Sequence, residues 1–358
     1  GPLIHFLPSA SGMSARFAIA AVIGTAFGIA LEKGRVFEPM IIRQQMSWQS
    51  LLMLKMFLAA CMASLVSMTI ASLVSRKMFD SARKCRGTIS QVVVGCSILG
   101  AGMTVSGACP GTILAQLGSG VTSSYITLLG GILAALVYTK FKDVIDAPFK
   151  SNFGLKRGFL EERLGVSFFL IAVPLAGVLF VTIAALEYIK PWYTEYSVDQ
   201  YDYFPSMAAR AWPPYFSGLV IGSLQLPTVL LLGKALGCSS PYERVAAYIY
   251  KKTGICKSDY VMKLTQRKFD NLWGLFLLGG MVLGASFSSL YSGSFHEAQS
   301  LPFVPSFLGG FMIIIGGRIA GGCTSGHGIS GFSSLGIESL FSVPAMFLSG
   351  TIVALCFF

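Results

Sequence analysis

Charge is what this sequence has least of. Only 12% of its 358 residues are Asp, Glu, Lys or Arg, against about 25% in an average soluble domain. Water-facing surfaces are built largely from those four residues. A soluble enzyme or a DNA-binding module is therefore excluded. Histidine is scarce too, with three in the chain. The eight cysteines include no CxxC pair. Neither a zinc site nor a disulfide framework has its usual spacing here, so no metal and no cofactor is expected. Cys61, Cys96 and Cys356 lie in apolar stretches, where a free thiol serves as a small hydrophobe. No P-loop pattern is present, so ATP-driven transport by this chain alone is not expected. The N-terminal stretch shows no signal-peptide pattern, and Gly1-Pro2 reads as a protease-cleavage scar.

What replaces charge is apolar length. Hydrophobic residues make up 54% of the chain. A hydrocarbon core of ~30 Å needs about 20 apolar residues per helix. Nine segments fit: 14–32, 49–75, 88–107, 121–140, 164–188, 213–232, 271–291, 304–321 and 339–357. Between them lie four apolar stretches too short to span, at 35–46, 110–118, 234–251 and 325–336. Each follows Gly or Pro, so each reads as a short re-entrant helix. The expected fold is an all-α integral membrane protein.

The basic residues orient it. With the N-terminus on side A, the A-side loops 76–87, 140–163 and 233–270 carry nineteen Lys and Arg, and the B-side loops carry five. Basic loops mark the cytoplasmic face. The N-terminus is expected in the cytoplasm and the C-terminus on the opposite side. The net charge of +11 is thereby explained without nucleic acid. Loop 190–212 on side B holds Trp192, Tyr193, Tyr196, Tyr201, Tyr203 and Trp212, rings that favour the membrane interface.

The chain also repeats itself. Gly95, Gly102, Gly107 and Cys109 fall on Gly309, Gly316, Gly321 and Cys323 at an offset of 214. Gly24-xxx-Gly28 answers Gly218-xxx-Gly222. The order span, short helix, two spans, short helix, span occurs twice, over 14–150 and 213–358. One odd span at 164–188 links the halves and inverts one against the other. Inverted repeats with interrupted helices belong to transporters, whose site lies at the repeat interface.

The two breaks that hold a cysteine are the candidate site. Ser106-Gly107-Ala108-Cys109-Pro110-Gly111 and Gly321-Gly322-Cys323-Thr324-Ser325-Gly326-His327-Gly328 each close an apolar helix and open a short one. Pro110 suits a first helical turn, and Thr324 and Ser325 suit an N-cap. Free N–H groups at such a helix start favour an anion. The alternative for both thiols is inert packing in Gly-rich crossings. Arg318 lies inside a span, where an ionisable residue is a functional candidate. It attracts an anion, snorkels to the edge, or pairs with Glu338. Lys55 is read as snorkelling. His327 is either an anion donor and gate or a cap of the short helix. Gln91 and Gln116 are read as amides bonding between helices. Glu187 lies near a span edge and Glu338 opens the last span.

The GACPG and GGCTSGHG frames resemble those of the YeeE/YedE family of sulfur-transport membrane proteins. Segments 28–43 (GIALEKGRVFEPMIIR) and 233–242 (GKALGCSSPY) resemble its other two short-helix regions. The resemblance covers 14–357. It implies an hourglass of inverted repeats that takes up thiosulfate, handed between thiols along a central path. Cys109 and Cys323 are the matching thiols, flanked by Gly107, Gly111, Gly322 and Thr324. Many members carry a third cysteine where Val36-Phe37-Glu38 stands here, and Cys238 is the candidate replacement. With Arg318 and His327 these residues make up the expected pathway. The expected partners are thiosulfate or a related sulfur or selenium anion, membrane lipid of a bacterial inner or plasma membrane, and a cytoplasmic sulfur carrier. Two other readings stay open: a membrane sulfurtransferase with a cysteine persulfide, and a channel for small solutes.

Overall fold

The computed structural model describes residues 10–83, 87–149, 158–196, 205–256, 258–266 and 269–357. Gly1-Pro2, Lys84, Arg86, Lys150, Lys156, Arg157, Tyr201, Tyr203, Lys257, Arg267 and Lys268 lie outside them. The apolar runs become helices because a helix satisfies its own backbone groups where no water can. In chain order these are α1 (Ala10–Lys33), α2 (Pro39–Met46), α3 (Leu52–Val74), α4 (Arg76–Ala82), α5 (Ile89–Ser106), α6 (Thr112–Gly118), α7 (Ser123–Asp146), α8 (Leu160–Leu164) and α9 (Phe168–Ile189). There follow α10 (Trp192–Glu195), α11 (Pro214–Ser223), α12 (Gln225–Leu232), α13 (Ser240–Thr253), α14 (Asp259–Leu264), α15 (Phe269–Tyr291), α16 (Phe303–Ile319), a π-helix (Thr324–Gly331) and α17 (Ile337–Phe357). Among the described residues the only extended pairing is an isolated bridge between Phe159 and Gly336.

Among the described residues eight helices are long and apolar enough to cross a membrane, taking α11 and α12 as one. The ninth expected crossing is α16 together with the π-helix, bent by 46° at their junction. The short elements are shorter than expected. Residues 34–38 form a turn before α2, and 234–239 run irregularly before α13.

Glycines set the packing. Gly24 and Gly28 of α1 face the backbone of Leu277 and Met281 on α15, and Gly218 and Gly222 of α11 face that of Met56 and Ala60 on α3. Helices α5 and α16 cross on their own glycines. A Cβ on Gly95 would lie 2.6 Å from the Gly316 carbonyl oxygen, and one on Gly316 2.6 Å from that of Gly95. Further along the same crossing, Gly102 meets Ile313 and Gly309 meets Ser106. Helix α16 also packs on α7, and α5 on α17. Such small residues let membrane helices approach to backbone contact. Helix α9 rests mainly on α3 and leaves Phe180 and Val181 exposed.

Four side chains take partners that the sequence does not show. Lys55 does not snorkel: it is fully buried, 2.9 Å from Glu187 and 3.4 Å from Glu195. The carboxylates of α9 and α10 are near enough to neutralise it in place. Gln91 bonds between helices as expected, from α5 to Asp146 of α7. It also stands at the start of α5 in a capping box with Thr88. Trp192 turns inward against Ile41, Leu52 and Ala211, and Trp212 is buried beside Phe216.

The α5–α16 crossing is directly testable. Gly95→Leu or Gly316→Leu forces side-chain atoms into facing backbone, an overpacking cost of about 1–3 kcal/mol. Both variants are expected to melt at lower temperature in detergent. Gly177→Leu on α9, with nothing within 4 Å, is the control expected to melt like wild type. Equal melting of all four proteins would contradict this packing.

Candidate functional site

The first cysteine stands where α5 gives out. Gly107 is the C-cap, in a left-handed conformation (φ 59°), and Pro39 of α2 packs against it. A side chain there meets both strain and Pro39. Three residues then connect to α6, which starts at Thr112 with Gly111 as N-cap. Pro110 therefore precedes the helix instead of opening it. The Thr112 hydroxyl accepts from the Cys109 N–H (2.6 Å), and the Thr112 N–H points at Cys109 Sγ (3.4 Å).

The second cysteine stands where α16 gives out. Gly321 has φ 77°. Cys323 itself takes the N-cap position, with extended backbone, so Thr324 and Ser325 are the first helical residues. The segment Thr324–Gly331 winds as a π-helix, where an ordinary short helix over 325–336 was expected. Gly326, Gly328 and Gly331 permit the wide turn: Gly328 lies against the Phe57 ring and Gly331 against Ser339. π-Helical turns recur at functional sites.

Cys109 and Cys323 come together on one cavity of about 50 Å³. Met53, Met56 and Met103 line it with them, and Thr112, Thr324 and Ser325 supply hydroxyls. Gly111 is in its wall, as is Val36 from the turn before α2. No Asp, Glu, Lys or Arg is among the described lining residues. Cys323 Sγ is 3.2 Å from Ser325 Oγ. The Thr324 hydroxyl faces the sulfur of Met103 at 3.5 Å. Cys238 is buried one layer behind. Its sulfur lies 3.9 Å from Met281 Sδ, against Gly111, hydrogen-bonded with Ser325 and near the other two thiols.

The π-helix is a partition. Its residues Thr324, Ser325 and Ile329 face the thiol cavity. Its residues Gly326, His327, Ser330 and Gly331 face a second space of about 20 Å³, shared with Ser334, Glu338 and Ser339. His327 thus belongs to this vestibule. Its Nε2 is 2.8 Å from the Ala320 carbonyl oxygen, and its ring fills the space beside Gly322.

Arg318 is not in the cavity lining. It pairs with Glu243 of α13 at 2.7 Å, not with Glu338, because its face of α16 is turned to α13. Tyr260 donates to the same carboxylate. Burial, with Glu243 beside it, pushes the Tyr260 phenol up, which keeps it a donor. The Tyr138 ring lies 5.7 Å from the guanidinium. Two further contacts hold this wall, of which Tyr242 escaped the sequence reading and Gln116 bonds between elements as expected. Tyr242 donates to the Pro110 carbonyl (2.9 Å) beside the three thiols. The Gln116 amide donates to two carbonyls, Phe37 and Gly107, each at 2.8 Å. Tyr242 closes the GCSSPY segment, but nothing local says which carbonyl it reaches.

A family model described as sulphur transport matches residues 33–353. The chain is 24% identical over 252 residues to the thiosulfate transporter TsuA of Escherichia coli (strain K12), a stretch covering 66% of each protein. The chain therefore spans just under two thirds of that relative's length.

Gln116→Leu keeps the volume of the site and removes both amide bonds. Each buried carbonyl left unpaired costs about 1–3 kcal/mol. A clear fall in melting temperature is expected, larger than for Gln44→Leu on α2, whose side chain is part-exposed. Equal melting of the two variants would show that the Gln116 bonds do not hold the wall.

Proposed function

The chain belongs to the sulphur-transport family, and from that premise we propose that it is a permease for thiosulfate or a closely similar small sulfur anion, which crosses through the cavity between Cys109 and Cys323. One observation carries the reading: thiols from two distant parts of the chain line one cavity, together with three thioethers, three hydroxyls and apolar side chains such as Phe27, Leu31, Phe57 and Ile221. Family and relative are both transport proteins, so the sulfurtransferase alternative falls away.

The chemistry of the lining fits such an ion. Burying a bare charge in apolar surroundings is costly. Thiosulfate keeps hard, hydrated oxygens at one end and a soft, weakly hydrated sulfur at the other. Thiol S–H groups and methionine sulfurs suit the soft end. The hydroxyls of Thr112, Thr324 and Ser325 are neutral donors for the oxygens. Without a fixed cation in the wall, the ion is held loosely enough to leave again, as conduction requires.

The two halves, 14–150 and 213–358, act as inverted repeats about this cavity, with 164–188 as the linking span. The packing pattern supports this: α1 on α15 is answered by α11 on α3, and α7 on α16 by α17 on α5. The short elements then dip inward from both faces, as non-helical backbone does where it lines a cavity. With the basic loops cytoplasmic, the vestibule beyond the π-helix faces the cytoplasm of a bacterial inner or plasma membrane. The ion leaves past the Thr324–Gly331 segment and His327, to be taken up by a sulfur-carrier protein. Cys238 supplies a third thiol behind the cavity, and Gly107, Gly111, Gly322 and Thr324 shape the two cysteine turns.

The test is uptake in cells lacking their own sulfate and thiosulfate transport, with thiosulfate as sole sulfur source. Wild type supports growth. A hydrogen bond to a charged group is worth about 1.5–3 kcal/mol, roughly tenfold to a hundredfold. Cys109→Ala and Cys323→Ala are each expected to lose uptake on that scale. Growth like wild type with both variants would leave a channel in which the cysteines only pack.

A further inference from the structure

The turn between α1 and α2 carries a guanidinium that the cavity chemistry leaves unused. Arg35 is 3% exposed and has φ 54°, the left-handed region that a residue with a long side chain seldom adopts. Its Nε is 2.6 Å from Glu38 Oε1, its Nη1 3.6 Å from Glu32 and its Nη2 3.9 Å from Glu297. Nη1 is buried and makes no hydrogen bond among the described residues. Such a donor asks for an explanation.

The three carboxylates are not equivalent. Glu32 is fully buried and fixed by hydroxyls, from Ser288 at 2.6 Å and Ser294 at 2.7 Å. Glu297 is shared with the exposed Arg210 at 3.3 Å. Glu38 is the one in closest contact, and besides Arg35 it is held by the Tyr196 hydroxyl at 3.2 Å. Burial pushes the Tyr196 phenol up, so it remains a donor. Lys33, 3.7 Å from Glu32, donates to the Ala209 carbonyl at 2.7 Å. Three carboxylates thus balance Lys33, Arg35 and Arg210. Neutralising or moving Glu38 leaves a net positive pocket with a forked donor.

Position gives this pocket its meaning. Glu297 and Arg210 reach the surface, Arg35 lies beneath them, and the next residue, Val36, is in the wall of the thiol cavity. The Phe37 carbonyl that follows is held by Gln116. We propose that Arg35 is the outer recognition site for an oxyanion, such as the SO₃ end of thiosulfate, with Glu38 occupying the anion's place until one arrives. A guanidinium fork suits a carboxylate and a sulfur oxyanion alike. The incoming anion displaces Glu38, takes up the Nη1 donor as well, and frees the left-handed turn that holds Val36 in the cavity wall. This inference rests on the permease reading above.

The test compares the concentration dependence of thiosulfate uptake in wild type, Arg35→Gln, Arg35→Lys and Glu38→Gln. Loss of the fork is expected to raise KM about tenfold or more in Arg35→Gln, with Arg35→Lys between it and wild type. Glu38→Gln removes the competitor's charge and is expected to lower KM several-fold. A purely structural ion pair predicts the opposite sign for Glu38→Gln, so a raised or unchanged KM there overturns the inference, even where Arg35→Gln fails to reach the membrane. Absence of uptake by wild type would overturn the permease reading itself, and the inference with it.

Discussion

Backbone that leaves the helical ladder inside an apolar bundle must find its hydrogen-bond partners within the protein. This chain breaks its helices repeatedly, and several of the breaks are tied by a side chain from another part of the chain. Arg43 of α2 donates to the last carbonyls of α5, at Thr104 (3.0 Å) and Val105 (2.6 Å). Gln116 of α6 ties Phe37 to Gly107, and Tyr242 of α13 ties Pro110. Leu236 is held from both sides, its N–H by Gln225 (3.2 Å) and its carbonyl by Ser330 of the π-helix (2.8 Å). The cavity wall is therefore a set of bonds between elements, and no one short helix stands by itself.

The glycine contacts make that arrangement reachable. Backbones that touch, as at Gly95 and Gly316, bring the ends of α5 and α16 close, and those ends carry Cys109 and Cys323. The same economy of space makes the π-helix a thin partition, with the cavity on one face and the vestibule on the other. On the proposed reading, a small shift of this one segment connects the two spaces. The charged residues stay out of the wall. They cluster at the ends of the bundle, around Arg318 with Glu243 and around Arg35 with Glu38, where each buried charge has a partner of opposite sign.

How much of this was legible in the sequence follows the range of the interaction concerned. Apolar runs are local, and the long helices lie close to where the runs predict them. The glycine and cysteine frames are local too, and they point to the two turns that line the cavity. Partners are not local. Arg318 meets Glu243, 75 positions away in sequence, because a helix face and not a spacing decides which neighbour it sees. Lys55 found Glu187 and Glu195 instead of water for the same reason. The π-helix was out of reach of hydrophobic periodicity, since its turn is permitted by glycines packed on Phe57 and Ser339. Gln91 bonds to α7 as read, but its role at the start of α5 went unread. Thr88-x-x-Gln91 is a capping-box pattern, and it was open to a purely local reading.

The central claim is that a sulfur anion sits between the thiols of Cys109 and Cys323 on its way through the protein. Its most direct measurement is the position of a bound anion, located in crystals grown with selenosulfate by anomalous scattering at the selenium edge. The account predicts a peak inside the cavity, within contact distance of both sulfurs and beside Met53, Met56 and Met103. An occupied selenium position on the lipid-facing surface alone, with the cavity filled by side chains or lipid, would contradict it.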